Sequence, residues 1–135
     1  MLGKFGNVLL CEDVRVEINN KHTLVGVLSG DINFGEVPGS LQAAFYIEYT
    51  PLRKGEVLNV RVLLDDGVIA AGVIDVPQLA PGSASIIVLP KGVIAISQDC
   101  DLKVQFNVDD GEWETILKRR LQKGMVPSIV APPPT

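Results

Sequence analysis

The sequence contains few of the residues from which catalytic and metal sites are built. It has one histidine, two cysteines and only 5% aromatic residues. A single histidine limits acid–base catalysis, and two isolated cysteines do not supply the clustered ligands that zinc requires. A Gly-rich nucleotide loop and a G-x-S-x-G nucleophile elbow are also missing. The sequence therefore predicts no cofactor and no enzyme of these classes.

Positive charge is scarce as well. The 135 residues carry a net charge of −4, and the one basic cluster, Lys118–Lys123, has the pattern of a solvated strand end. Binding to nucleic acid or to an anionic membrane depends on clustered Lys and Arg, so neither partner is expected. The N-terminal apolar run is too short for a signal peptide or a membrane span. We therefore expect a cytoplasmic protein, with Cys11 and Cys100 reduced and buried.

The clearest local pattern lies between Val8 and Leu28. Apolar and charged residues alternate up to Ile18 with a period of two, which is typical of a half-buried strand. Asn19–Asn20 tolerates the positive φ of a two-residue type I′ turn, which would place Glu17 opposite His22 and Val16 opposite Thr23. This register predicts a hairpin with one buried and one polar face. The buried face would consist of Val14, Val16, Ile18, Thr23, Val25 and Val27, and the polar face of Asp13, Arg15, Glu17 and His22.

Three segments of this hairpin carry a resemblance. They are Cys11–Glu17 (C-E-D-V-R-V-E), Thr23–Val27 (T-L-V-G-V) and Gly30–Ile32 (G-D-I). Together they resemble the opening of a family of small uncharacterised bacterial and phage-associated proteins, a domain of unknown function. The resemblance covers about residues 10–32 and continues beyond them as strand pattern. It implies an immunoglobulin-like β-sandwich and brings no activity, ligand or catalytic residue.

Short strands separated by turn residues continue along the rest of the chain. Asp-Asp-Gly at 65–67 and again at 109–111 is typical of hairpin turns, and Pro90–Gly92 either reverses the chain or kinks one strand. We predict one all-β domain over residues 1–124, an immunoglobulin-like β-sandwich of about seven or eight antiparallel strands. A flexible Pro-rich tail over residues 125–135 is predicted to follow it. Further strands are predicted over Leu41–Tyr49, Val57–Leu64, Val68–Val76, Ile86–Leu89 and its continuation Val93–Ser97, Asp101–Val108 and Glu112–Leu121.

The aspartates of the two turns are the best metal candidates in the sequence. Calcium prefers several carboxylates that converge from loops. If Pro90–Gly92 reverses the chain, both turns lie at one end of the sandwich, and if it only kinks a strand they lie at opposite ends. Asp is also an ordinary turn residue, and the turn interpretation is favoured. The weak calcium candidates are Asp65, Asp66, Asp109 and Asp110.

The remaining features favour a non-enzymatic interaction or assembly module in a bacterial or phage setting. Such a module would meet a protein partner, or a second copy of itself, through a sheet edge, an apolar face or the tail. The outer face of the first hairpin mixes leucines with charges and is the predicted contact surface. A small-ligand or calcium-binding module is the alternative. The residues of the predicted contact surface are Asp13, Arg15, Leu24 and Leu28.

Overall fold

The computed structural model describes residues 2–35, 38–75 and 82–124, and it consists of two β-sheets packed face to face. The predicted all-β sandwich is confirmed. Nine strands occur in the described residues, where seven or eight were predicted. They are β1 (Lys4–Val16), β2 (His22–Leu28), β3 (Ile32–Phe34), β4 (Gly39–Thr50), β5 (Val57–Leu64), β6 (Gly67–Asp75), β7 (Ser85–Ile96), β8 (Cys100–Val108) and β9 (Glu114–Lys123), and a 3₁₀ turn (Ile18–Asn20) joins β1 to β2.

The strand order is that of an immunoglobulin-like sandwich. One sheet has the order β2-β1-β4-β7, and the other has the order β3-β9-β8-β5-β6. Strands β1, β4 and β7 correspond to A, B and E of that fold, and β9, β8, β5 and β6 to G, F, C and C′. All pairs are antiparallel except β3 with β9, which are parallel. The prediction of antiparallel strands alone was wrong at β3, whose three residues are too few to show a period.

The core lies between the two sheets and is built from alternate residues of the long strands. Leu58 and Val60 of β5, and Leu102 and Val104 of β8, are buried on the inner face of one sheet. Burial of each large side chain contributes about 1.5–3 kcal/mol to folding. The four-stranded sheet contributes buried residues to the same cluster, including Leu10, Leu41, Ala43, Phe45, Ile47, Tyr49, Ile87 and Ile96.

The first hairpin has a different register from the predicted one. Val16 lies opposite His22 rather than Thr23, because the turn uses three residues, with Asn19 in the left-handed region at φ 66°. A shift of one residue turns β2 over relative to β1. Val16 and Ile18 are therefore exposed, Ile18 by 85%, and the predicted buried face does not exist.

Beyond Cys11 this hairpin no longer pairs with β4. Strand β1 pairs with β4 up to Cys11, and residues 12–26 continue as a hairpin arm. Gln42 Nε2 donates a hydrogen bond to the carbonyl oxygen of Glu12 at 3.0 Å. Lys91 Nζ lies 3.9 Å from the carboxylate of Asp13. These contacts hold the arm against β4 and β7.

Strand β7 is continuous through Pro90–Gly92. Its register with β4 shifts between Ala43 and Phe45, which marks a bulge at Pro90 and Lys91 rather than a reversal. Of the two alternatives for this segment, the kinked strand is the one observed.

Two further predictions concern the ends of the chain and membranes. The predicted Pro-rich tail, residues 125–135, lies outside the described residues. Within the described part of the chain, the helical content is one short turn, and no helix has the length and apolar character to cross a membrane.

Candidate functional site

The four residues of the predicted contact surface are divided between the two faces of the arm. Asp13 and Arg15 lie on one face, with Arg15 Nε 3.9 Å from Asp13 Oδ2. Val14, between Asp13 and Arg15 in the strand, points to the opposite face. Leu24 pairs directly with Val14 and therefore lies on that opposite face too. Leu28 packs against the core. The prediction of one continuous surface is therefore corrected, since the shifted register separates the charges from the leucines.

The two Asp-Asp-Gly turns lie at opposite ends of the five-stranded sheet. Leu64, just before the first turn, pairs with Leu102 at the start of β8, whereas Val108, just before the second turn, pairs with Leu58. The structure thus does not bring the four candidate aspartates together. In the described ranges, no group of three or more His, Cys, Asp or Glu residues is placed to hold a metal ion.

Three of these aspartates bind groups of the protein itself. Asp65 Oδ1 accepts a hydrogen bond from the backbone N–H of Asp101 at 2.9 Å. Asp109 forms an ion pair with Arg53, and Asp110 Oδ1 accepts a hydrogen bond from Asn59 Nδ2 at 3.0 Å. Asp109 and Asp110 both have positive φ, as a type I′ turn requires. Their positions agree with the turn interpretation.

His22, the one histidine, lies beside an aromatic ring. Its ring centroid is 5.5 Å from that of Tyr46, in an edge-to-face arrangement. Burial raises the pKa of the Tyr46 phenol, and the carboxylate of Glu48 raises it further. The predicted pairing of His22 with Glu17 was wrong, because Val16 occupies that position. This contact joins the arm to β4.

The sandwich is open along the side where the two sheets end in β6 and β7. A cavity of about 490 Å³ lies between these two strands, and small side chains on β6, β4 and β7 line much of it. A Cβ added at Gly72 would lie 3.8 Å from Val60 Cγ1, which is an ordinary van der Waals contact. Packing therefore does not require a glycine there, and the cavity has room for further apolar groups. The small lining residues are Ala43, Ala70, Ala71, Gly72, Gly92 and Ala95.

Arg61 is the charged residue in the cavity lining, and its head group is bound elsewhere. Its Nε donates a hydrogen bond to Gln105 Oε1 at 2.7 Å. Its guanidinium carbon lies 4.1 Å from the centre of the Trp113 ring, within the range of a cation–π contact. Both contacts hold the charge on the outer face of the sheet, so the cavity presents apolar surface.

Strand β6 is exposed over most of its length, although it carries no charge between Gly67 and Ile74. Val73 is 67% exposed, and Val68 and Ile69 are also exposed. As the last strand of its sheet, β6 turns the backbone N–H and C=O groups of every second residue away from the sheet. Its register with β5 shifts near Ile69, which leaves residues 70–75 regularly paired. An uncharged edge of this kind is able to accept another strand.

Strand β7, on the other side of the opening, has the features that discourage strand addition. Pro90 lacks a backbone N–H, Lys91 places a charge on the edge, and the bulge at these residues interrupts the row of backbone groups. The two edges of the open side are therefore not equivalent. Among the described residues, β6 is the edge that is free to pair.

This site was not identified from the sequence. The apolar run at Val68–Val76 predicts a strand correctly, but hydropathy does not show which strand forms a sheet edge. One feature of the sequence could have indicated an edge strand, namely an uncharged strand with Ala70, Ala71 and Gly72 at its centre. A central strand normally fills the space between the sheets with larger side chains.

Comparison of the chain with known proteins gives no match, either among protein-family models or among curated proteins.

Proposed function

We propose that this protein is a non-enzymatic interaction and assembly module that accepts a β-strand of a partner protein along β6. The observation that carries this proposal is the exposed, uncharged edge of β6 beside an apolar cavity. The resemblance of the first hairpin to bacterial and phage-associated proteins supports a bacterial or phage setting for this module. Free, buried thiols at Cys11 and Cys100 support a reducing, cytoplasmic compartment.

Strand addition would use two kinds of interaction at this edge. The free backbone groups of β6 would hydrogen-bond to the added strand and supply affinity. Alternate side chains of the added strand would enter the cavity between β6 and β7, where burial of apolar surface contributes about 25 cal/mol per Å². A partner strand with small or β-branched apolar residues on one face matches this site.

The arm tip is the other exposed apolar region, and it fits a binding role less well. Val16 and Ile18 are exposed there. They alternate with Arg15 and Glu17, and Lys21 follows the turn, which is the pattern of a solvated hairpin end. No comparable charge interrupts β6 before Asp75.

The proposal is tested with a synthetic peptide of alternating valine and threonine, capped by lysines for solubility. Titrated into isotope-labelled protein, it should shift the amide NMR signals of β6 and of the cavity lining. Val73→Lys should weaken binding at least tenfold, because it places a charge on the edge. Ile18→Lys on the arm is the matched control and should leave binding unchanged. Shifts confined to the arm, or no binding to protein that has the mass of one chain, would contradict the proposal.

A second candidate function is the binding of a small apolar molecule in the same cavity. Its volume of about 490 Å³ falls within the range of small-molecule sites, which is the observation in favour. Gly72→Val should fill the cavity while leaving the backbone edge of β6 free. Loss of binding of the apolar dye anilinonaphthalene sulfonate, with peptide binding retained, would assign the cavity to small ligands.

A further inference from the structure

We propose that the strand which pairs with β6 is β6 of a second copy of this chain, related by a two-fold axis at Ala71. This inference rests on the proposed function and names its partner. The two five-stranded sheets would then form one continuous ten-stranded sheet across the dimer, with β6 at its centre. A two-fold interface uses the same patch on both subunits, so the patch must be complementary to itself.

The sequence of β6 meets this condition. A two-fold axis normal to the sheet keeps each residue on the same face of the sheet in both copies. Because side chains alternate between faces along a strand, residues that lie opposite each other are both odd-numbered or both even-numbered. With the axis at Ala71, Ala70 comes opposite Gly72, and Ile69 comes opposite Val73. Two small residues and two β-branched residues are thereby matched across the pair, and pairs of β-branched residues are favourable in sheets.

The sizes of the paired side chains select this register over its neighbours. With the axis at Ala70, Ala71 would come opposite Ile69 and Gly72 opposite Val68, so each small residue would face a β-branched one. With the axis at Gly72, Ala71 would come opposite Val73 and Ala70 opposite Ile74, which gives the same mismatch.

The small residues on the cavity side of β6 leave room for a second copy at this edge. The residues of β6 on the cavity side are Ala70 and Gly72, which pair with Val62 and Val60 of β5. In the dimer each of these small residues lies opposite the other, so the backbones meet without a steric conflict inside the sandwich. The open side of each copy is then covered by the edge of its partner.

The solution mass is the first measurement. Light scattering behind a sizing column should give about 29 kDa for the full chain, twice the chain mass of 14.5 kDa. Val73→Lys should shift the mass to that of one chain without changing the circular dichroism of the fold, because Val73 is exposed. Ile18→Lys, a matched control on the arm, should remain a dimer.

Cysteine substitution tests the register. Directly opposed residues of an antiparallel pair have Cα atoms about 4.5–5.5 Å apart, within the span of a disulfide. Ala71→Cys should therefore form a covalent dimer on mild oxidation, whereas Ile69→Cys alone should not. A mixture of Ile69→Cys and Val73→Cys should form the mixed dimer. The native Cys11 and Cys100 are buried and do not interfere.

The outcomes separate this inference from the proposed function. A mass of one chain at all concentrations, with the valine–threonine peptide still bound at β6, overturns self-pairing and leaves strand addition standing. A mass of one chain without peptide binding overturns both. A dimer that survives Val73→Lys and gives no Ala71→Cys disulfide overturns self-pairing, because the contact then lies elsewhere.

Discussion

The hydroxyl of Tyr49 donates a hydrogen bond of 2.7 Å to Glu56 Oε2, in a position where Tyr49 is fully buried and Glu56 is 2% exposed. Glu56 Oε1 accepts a second bond, from the backbone N–H of Leu52 at 3.0 Å. The backbone N–H of Gly3 donates to the Tyr49 hydroxyl oxygen at 2.9 Å. This network ties the N-terminal segment and the turn after β4 to the core.

Tyr49→Phe should destabilise the protein by about 1–3 kcal/mol, because it leaves a buried carboxylate oxygen and the N–H of Gly3 without their partner. Chemical denaturation followed by circular dichroism measures this loss. Tyr46→Phe is the matched control, since within the described residues the hydroxyl of Tyr46 makes no hydrogen bond, and it should cost much less. Equal losses for the two variants would contradict the role assigned to the Tyr49–Glu56 bond.

Stability should fall at alkaline pH through Tyr49. Burial, followed by the hydrogen bond to Glu56, raises the pKa of Tyr49 to about 12 from an ordinary value of 10.0. Between these two values the unfolded chain has lost a proton that the folded chain retains, so the free energy of unfolding decreases as pH rises. The difference in the free energy of unfolding between the wild type and Tyr49→Phe should therefore be constant below about pH 10 and decrease toward pH 12. A difference that is independent of pH throughout this window would show that Tyr49 titrates normally.

The two thiols should be unreactive in the folded protein. Burial raises the pKa of Cys11, and the Asp13 carboxylate raises it further, partly offset by a backbone hydrogen bond at Asp13. Burial likewise raises the pKa of Cys100, with the carboxylate of Asp65 as the next cause. Since the thiolate is the reactive form, Ellman's reagent should label neither cysteine at neutral pH and both after denaturation. Rapid labelling of one thiol in the native protein would show that its side chain is accessible.

Gly26→Ala should destabilise the arm. Gly26 has a φ of +63°, and a Cβ there would lie 2.7 Å from Glu12 Cδ. The strained backbone costs about 1 kcal/mol, and the contact with Glu12 adds to it. Gly30→Ala is the control for backbone strain alone, because Gly30 has a φ of +72° with nothing within 4 Å of its added Cβ.

Removing the side chain of Glu12 separates these two contributions. Added to Gly26→Ala, the Glu12→Ala change should recover the part of the loss that comes from the contact, and the stability should approach that of Gly30→Ala. Denaturation midpoints of the three variants decide this. A double variant no more stable than Gly26→Ala would mean that Glu12 moves aside freely.

Much of the fold could be predicted because its information is local. The alternation of Leu102, Val104 and Phe106 predicts a strand with one buried face, and all three are buried. Asp109–Asp110 predicts a hairpin turn, and both residues have the positive φ of that turn. A period of two and turn residues depend only on neighbours in sequence, so they are visible without a structure.

The errors come from choices that neighbours in sequence do not determine. Asn19–Asn20 is compatible with turns of two or three residues, and the choice of three reversed which side chains of the arm are buried. Whether Val73 faces a neighbouring strand or solvent depends on which strands end the sheets, and that is set by pairing between distant segments. The open side, and with it the candidate site, therefore required the structure.

The parallel pair of β3 and β9 has a consequence for the synthesis of the protein. Gln122 Nε2 donates a hydrogen bond to Asn33 Oδ1, and these residues are 89 positions apart in the chain. During translation the early hairpin can form while the chain is short, but β3 has no neighbour until β9 has left the ribosome. Contacts of such long range slow folding, so the five-stranded sheet is completed late. During that interval the uncharged edge of β6 is exposed while its sheet is still incomplete. Pairing of this edge with another chain at that stage would give a misassembled protein, so correct folding requires that encounters between chains come later.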